Sequence, residues 1–479
     1  MKKANFGAFL GFFIFICFST GIVISRFISS FWFLVCLAAL SFLAAGYFYR
    51  KKNVFASDAA ILVIFIFLGA AWSVSHSFYH NKKPFLNKNY KFSLKIVSLP
   101  KVSSLRNTCK AKIYFAGSQP VSFSAFVADY SKKLEYLNHY EVTGKLTENN
   151  YHGKALFLWV RKNSKVKKLP LTLTERITKT ANKYILRVFE KNCDQQSCNF
   201  LAAVFLGRRE LIGLQKDIFA KAGVSHLLAI SGLHIGLTAL LLFFFLKIAG
   251  FSHKACLIFS LLLLSWYTLL TGVSASTLRA LIMYAVFVCG FLLRRKTKLL
   301  NSLGLAGLFI LIWDPEMLFN PGFQLSFASV LAIIIGFKIF GPVSEANPAY
   351  YYLKQIFLCS LFVTLLITPI VSYYFGRVYL LNIIYNLLLI PFFTLILGLN
   401  FFLVAFSFFP FIAKALGALL SLIISLFIQS TSVLSSSRFS FIECRFSIKT
   451  MVIYYTILSS LAGLLFALKR KVPKAKEAI

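Results

Sequence analysis

The chain has 479 residues, is 58% hydrophobic and carries 52 Lys and Arg against 15 Asp and Glu, a formal net charge of +37. Soluble domains run about 45–50% apolar. Here apolar runs recur from end to end, which excludes a soluble globular protein and implies a polytopic α-helical membrane protein with one water-exposed insert. The basic excess is larger than loop orientation needs. It implies a polyanionic partner: nucleic acid, lipid headgroups or a charged polysaccharide.

Residues 6–24 form the first apolar span after a short basic start, Met1–Lys3. The run is long for a signal peptide and no A-x-A-like cleavage site follows, so it reads as retained. Residues 31–49 and 59–75 are the second and third spans, and Arg50-Lys51-Lys52 follows the second. Positive charge at the start and after span two places both on the cytoplasmic side, and the third span carries the chain out.

The insert, residues 76–221, holds 27 Lys and Arg against 9 Asp and Glu. Positive charge outside does not break the orientation rule, because long domains translocate largely regardless of charge. Five β-like runs are visible at 91–99, 108–116, 121–129, 139–147 and 155–162. Phe92, Leu94 and Ile96 alternate with Lys91, Ser93 and Lys95; Ala111, Ile113 and Phe115 alternate with Lys110, Lys112 and Tyr114. Period two means half-buried strands. Five such strands over 76–170 suit an OB-like barrel, a fold that often binds single strands; the plainer alternative is a small β domain with a solvated basic face. Lys91, Lys95, Lys110, Lys112, Lys145 and Arg161 are its candidate DNA contacts.

Residues 171–221 follow. Ile177, Ala181, Tyr184, Ile185 and Val188 keep helical spacing, and Arg176, Lys179, Lys183, Arg187 and Lys191 form a second stripe. A basic amphipathic helix lies on a membrane surface more often than elsewhere. Arg176, Lys179, Lys183 and Arg187 could equally guide a phosphate backbone. Cys193 and Cys198 could pair if the insert is extracytoplasmic, as could Cys109 with either. Histidines do not cluster with the cysteines, so no metal site is expected.

Residues 222–247 read AGVSHLLAISGLHIGLTALLLFFFLK. The run is long and apolar enough to cross a bilayer, yet holds His226, Ser231 and His234. Polar groups at that depth must face protein or a water-filled cavity. Ser231 and His234 share a helix face, and Gly232 and Gly236 would let another backbone approach. The segment is either a helix-packing seam or the lining of a polar path. A Ser231–His234 hydrolase pair lacks an acidic partner and the G-x-S-x-G elbow. From here the spans fall near 227–250, 255–271, 276–293, 299–312, 322–340, 355–374, 382–408, 411–434 and 450–468. The expected total is about twelve transmembrane helices, with Arg294-Arg295-Lys296, both termini and the basic tail 469–479 cytoplasmic. No internal repeat is evident, which disfavours inverted-repeat transporters.

The motif series SHLLAISGLHIGL (225–237), SASTLRALIMY (274–284), DPEMLFNPGFQLSFASVLAI (314–333) and FGRVYLLNIIYNLLLIPFF (375–393) resembles the ComEC/Rec2 competence family, inner-membrane channels for DNA uptake in natural transformation. The resemblance covers about 200–410, within a channel core placed at 222–468; YEVTGKL at 140–146 looks like that family's outer OB domain. It implies an inner-membrane channel, not an enzyme, that binds DNA outside and passes one strand inward. Its motif polar residues fall on Ser231, Gly232, His234, Arg279, Gln324, Ser326 and Asn386. Arg279 lies within an apolar span, where an unpaired charge is expensive. Gln324 and Ser326 follow Pro321-Gly322, a helix start that can hold an anion. Asn386 precedes Pro391, a kink signal.

Many relatives carry a further metallo-β-lactamase-like nuclease domain. This sequence has no H-x-H-x-D-H, so no nuclease activity and no cofactor is expected, and a separate nuclease or single-stranded delivery would be needed. Moving DNA phosphates inward against the membrane potential costs about 2.3 kcal/mol per charge per 100 mV. The sequence has no G-x-x-x-x-G-K-[ST] motor motif. The implied partners are single-stranded DNA, membrane lipids, a cytoplasmic helicase or translocase, and an outer DNA receptor or competence pilus. A transporter or flippase of another anion, such as a lipid-linked sugar, is the competing class.

Overall fold

A computed structural model describes residues 9–471 apart from 29, 52–53, 80–84, 99, 101–106, 118, 150–154, 214, 341–347 and 438–439. The basic start and most of the basic tail lie outside the described residues, as does Leu99 at the end of the first expected strand. Three N-terminal helices, α1 (Leu10–Ile24), α2 (Phe31–Arg50) and α3 (Val54–Tyr79), pack together. A Cβ at Gly21 would overlap the Ile66 carbonyl and one at Gly69 the Phe18 carbonyl. Glycine therefore sets how closely α1 and α3 cross.

The insert is a closed β-barrel. Its strands are β1 (Asn89–Ile96), β2 (Asn107–Ala116), β3 (Gln119–Asp129), β4 (His139–Asn149) and β5 (Ala155–Val160), with a short β6 (Val166–Leu169) added on β4. The order is β1-β2-β3-β5-β4, and a β4–β1 pairing closes the ring. Among these named strands, the β3–β5 pair alone runs parallel. Phe92, Leu94, Ile96, Ala111, Ile113, Val127, Val142, Leu146 and Leu158 fill the inside, as the alternation requires. Phe115 departs from it. A register shift between Ile113 and Phe115 turns that ring outward, 46% exposed, and Ala116 takes the inner place.

Helix α4 (Leu173–Asn192) starts on a Thr172–Glu175 capping box. Ile185, Val188 and Phe189 are buried in one core with α5 (Gln195–Phe205) and the bundle. Protein, not lipid, covers this face in the second half of α4, which corrects the membrane-surface expectation there. Cys193 caps the end of α4 and Cys198 is buried on α5; these thiols and that of Cys109 are free, so none of the possible pairings is formed.

After α6 (Gln215–Lys221) come α7 (Gly232–Ile248), α8 (His253–Thr271), α9 (Ala275–Leu292), α10 (Leu299–Trp313), α11 (Pro321–Phe340), α12 (Pro348–Phe375), α13 (Asn382–Ala405), α14 (Pro410–Ser435) and α15 (Ile448–Lys471). A two-residue ribbon, β7 (Arg377–Val378) with β8 (Ile442–Glu443), ties the α12–α13 and α14–α15 connections. Each expected span contains a helix among the described residues. Among the described residues eight are long and apolar enough to cross a membrane, and α1, α7, α10 and the described apolar part of α15 are shorter. The outer surface of the bundle is apolar, with Trp32, Trp313, Phe408 and Phe411 largely exposed. Such a surface suits lipid and not water. The trio joins the bundle through Phe12, Phe15 and Phe18 of α1, which pack on α10 and α11.

Candidate functional site

Ser231, Gly232, His234, Arg279 and Ser326 come together at the start of α7. Residues 222–231 are turns, not helix, so the expected span from 227 begins at Gly232. Ala222, Val224, Leu227, Leu228 and Ile230 are buried while Ser225 and His226 are exposed, so one side of this irregular backbone packs on protein, the condition for tolerating it at depth. Ser231 is the N-cap of α7 and His234 its third residue. The Ser231 N–H donates to His234 Nδ1 at 3.2 Å, and the Leu233 N–H donates to Ser231 Oγ at 3.3 Å. The pair is therefore a helix cap and not two side chains on one face. With Nδ1 accepting, a neutral ring carries its proton on Nε2. That nitrogen is buried and has no partner. The His234 ring meets Phe393 of α13 edge-on at 5.3 Å.

Arg279 reaches this cap from α9. Its Nη1 donates to the Ser326 carbonyl on α11. A Cβ at Gly232 would stand 3.2 Å from its Nη2. Gly232 thus admits the guanidinium, whereas nothing approaches Gly236 within 4 Å of such a Cβ; neither receives another backbone, contrary to expectation. Arg279 is 5% exposed, its Nε has no partner, and among the described residues it forms no ion pair. A buried cation without a carboxylate is costly to hold at such a position. Ser326 Oγ is a further buried orphan beside it. His234 is 1% exposed, so the cluster is packed shut.

Two motif residues do other work. Gln324 Nε2 donates to the Leu318 carbonyl at 2.9 Å, pinning the 3-10 turn Pro315–Phe319 to α11. The helix start expected to hold an anion is served by Asn320, whose Oδ1 accepts the Gly322 N–H at 2.8 Å. Asn386 of α13 donates to Ser360 Oγ of α12 at 2.8 Å, the interhelical alternative, while its Oδ1 is orphaned. The helix continues through Pro391.

On the outer domain the cations divide. Lys91 pairs with Glu141 at 2.9 Å and Lys95 with Glu175 at 2.6 Å. Lys179 donates to Asn138 Oδ1 at 2.6 Å. Lys95 and Lys179 therefore fasten α4 to the barrel. Burial would raise the Glu175 pKa, but hydrogen bonds from Lys95, Thr172 and His139 outweigh it and hold the carboxyl at about 2. Arg176 donates to the Leu171 carbonyl at 3.1 Å. Lys110 lies over Phe126 at 5.1 Å and Lys112 over Tyr114 at 5.8 Å. Lys145, Arg161, Lys183 and Arg187 are exposed.

Sequence reasoning missed the barrel–bundle junction. Arg208, following α5, donates to the buried Asn182 of α4 and lies over Tyr136 of the barrel at 5.0 Å. The available signal was Asn182, a polar residue on the apolar face of α4. Asn400 on α13 was also missed: it is 1% exposed and both its amide atoms are orphans.

Fold and site define a multi-pass helical membrane protein with a basic β-barrel and a sealed polar cluster around a lone arginine. The family model described as "Competence protein" matches residues 205–469, and the chain belongs to the ComEC/Rec2 competence family. ComE operon protein 3 of Bacillus subtilis (strain 168) is 30% identical over 243 residues, which cover 50% of this chain and 30% of that relative's length. No solved structure matches.

Proposed function

We propose that this protein is the inner-membrane channel of natural transformation: the barrel catches DNA outside and one strand passes through the bundle into the cytoplasm. Family membership supports the process, and the observation that carries the conducting site is Arg279, buried without a carboxylate beside His234 and Ser326. Such a group can meet a phosphate without first giving up an ion pair. With the cluster closed, conduction requires α7 to part from α9 and α11. The unmet groups His234 Nε2 and Arg279 Nε then find partners in the strand.

Barrel closure and the parallel β3–β5 pair support an OB-like assignment for the insert. Twelve crossings, with α1, α7, α10 and α15 spanning obliquely or in thinned bilayer, put both termini inside and the barrel outside. The chain conducts and does not catalyse. Ser231 and His234 form a cap, and among the described residues no carboxylate pairs with His234 as a triad needs. The work against the potential comes from a cytoplasmic helicase or translocase. An outer receptor or pilus delivers the DNA.

The test is Arg279→Gln in a transformable host lacking its own channel. Uptake of labelled DNA falls while the protein level holds. Normal uptake contradicts the reading, and normal uptake of DNA with loss of another anion's transport favours the flippase class.

A further inference from the structure

A row of aromatic rings lies on the outside of the barrel. The parallel β3–β5 register sets Phe126 beside Phe157, and Trp159 follows two residues along β5 on the same outer face. Tyr130 comes just after β3. Phe126 and Phe157 have ring centroids 5.4 Å apart and planes 22° apart. Phe157 and Trp159 are at 6.3 Å and 30°, and Trp159 and Tyr130 at 6.4 Å and 23°. Four near-parallel planes thus step across the barrel wall. The barrel interior is filled by the alternate residues and does not use these rings. Phe126 is 37% exposed, and the indole N–H of Trp159 donates to Thr147 Oγ1 at 2.8 Å, which fixes the ring.

The strand ladder brackets this row with cations. Lys110 on β2 is the cross-strand neighbour of Phe126, and Lys145 on β4 is that of Trp159. An aromatic cross-strand pair supports a sheet by side-chain packing. That accounts for two adjoining rings, not for a row of four with an exposed lysine on either side.

We propose that Phe126, Phe157, Trp159 and Tyr130 form a base-stacking platform for single-stranded nucleic acid, with Lys110 and Lys145 taking the phosphates on its two flanks. Every base offers a π-face, so the platform is indifferent to sequence. Bases in a duplex are already stacked and paired, so the platform selects single strands. Lys110, which rests over Phe126 in the free protein, swings to a phosphate when a base takes its place. This inference rests on the barrel being a DNA-handling domain, as proposed above.

The experiment uses the full chain in detergent, titrated with a labelled oligothymidylate and with a hairpin duplex of equal charge. Phe157→Ala with Trp159→Ala is expected to weaken oligothymidylate binding at least about 30-fold, the low end for two lost stacking contacts. Duplex binding stays unchanged and serves as the folding control. Lys110→Ala with Lys145→Ala is expected to weaken both ligands and to flatten the salt dependence. Trp159→Phe keeps a stacking ring, so affinity holds within about two-fold while the fluorescence quench on adding oligothymidylate shrinks. Ring variants that bind oligothymidylate like the wild type, or lose both ligands equally, overturn the platform and leave the DNA-binding barrel standing. A wild type that binds neither ligand overturns the function reading itself, and the platform with it.

Discussion

The barrel and the bundle both hold cations, but in opposite states. On the barrel, Lys91 and Lys95 have carboxylates within 3 Å, and others such as Lys145 and Arg161 stand in water. In the bundle, Arg279 is buried with one backbone carbonyl and a phenyl ring, and among the described residues no carboxylate meets it. Charges in water attract a polyanion from a distance, are screened by salt and contribute little individually. A charge held dry is felt only by something that reaches it, and then strongly. Under the proposed function, the outer region serves capture and the inner serves conduction.

Arg279 should show the largest effect. Replacing it with Gln removes a charge-assisted contact of about 1.5–3 kcal/mol, so transformation should drop roughly 10- to 100-fold. Arg279→Lys keeps the charge but loses the reach to Ser326, and should fall between. Equal loss in both variants would mean the side chain serves packing alone. Next comes Gly232→Val, which places carbon against Nη2; uptake should fall about ten-fold, since overpacking at a tight contact costs about 1–3 kcal/mol. The matching change at Gly236, which faces open space, should be near neutral. If the two glycines respond alike, the guanidinium contact is not what matters.

On the outer region, Lys110→Ala with Lys145→Ala should lower the salt slope of single-strand binding by about 1.4, two cations at roughly 0.7 each. An unchanged slope would place capture elsewhere. The smallest effect belongs to the junction. Glu175 has its pKa depressed to about 2, so the stability it lends is present above the ordinary carboxylate range and lost as pH falls toward 2. Protease cleavage between barrel and α4 should increase over that acid window in the wild type. In Glu175→Gln cleavage should be raised already at neutral pH and lose its pH dependence there.

Periodicity made the five barrel strands legible because a wet face and a dry face alternate along each one. It missed β6, whose Val166-Lys167-Lys168-Leu169 is too short and polar to show an inner face, and the shift that turns Phe115 out. In α4 the apolar stripe was plain, but a stripe does not say whether lipid or protein covers it. Ser231 and His234 were legible as a pair and misplaced as mid-helix residues, because a histidine replaces the usual Glu or Gln of a capping box. Arg279 stood out by its cost. Its neighbours did not, since contact between α7, α9 and α11 is set by tertiary packing.

The claim that the sealed cluster opens onto the DNA path is tested most directly by cross-linking. A photoreactive side chain is placed at position 326, next to Arg279, and illuminated while labelled DNA is being taken up. The account predicts a covalent adduct with the incoming strand, formed only during uptake and lost when DNA is withheld. Adducts confined to α7 and α9 in cells that take up DNA normally would contradict it.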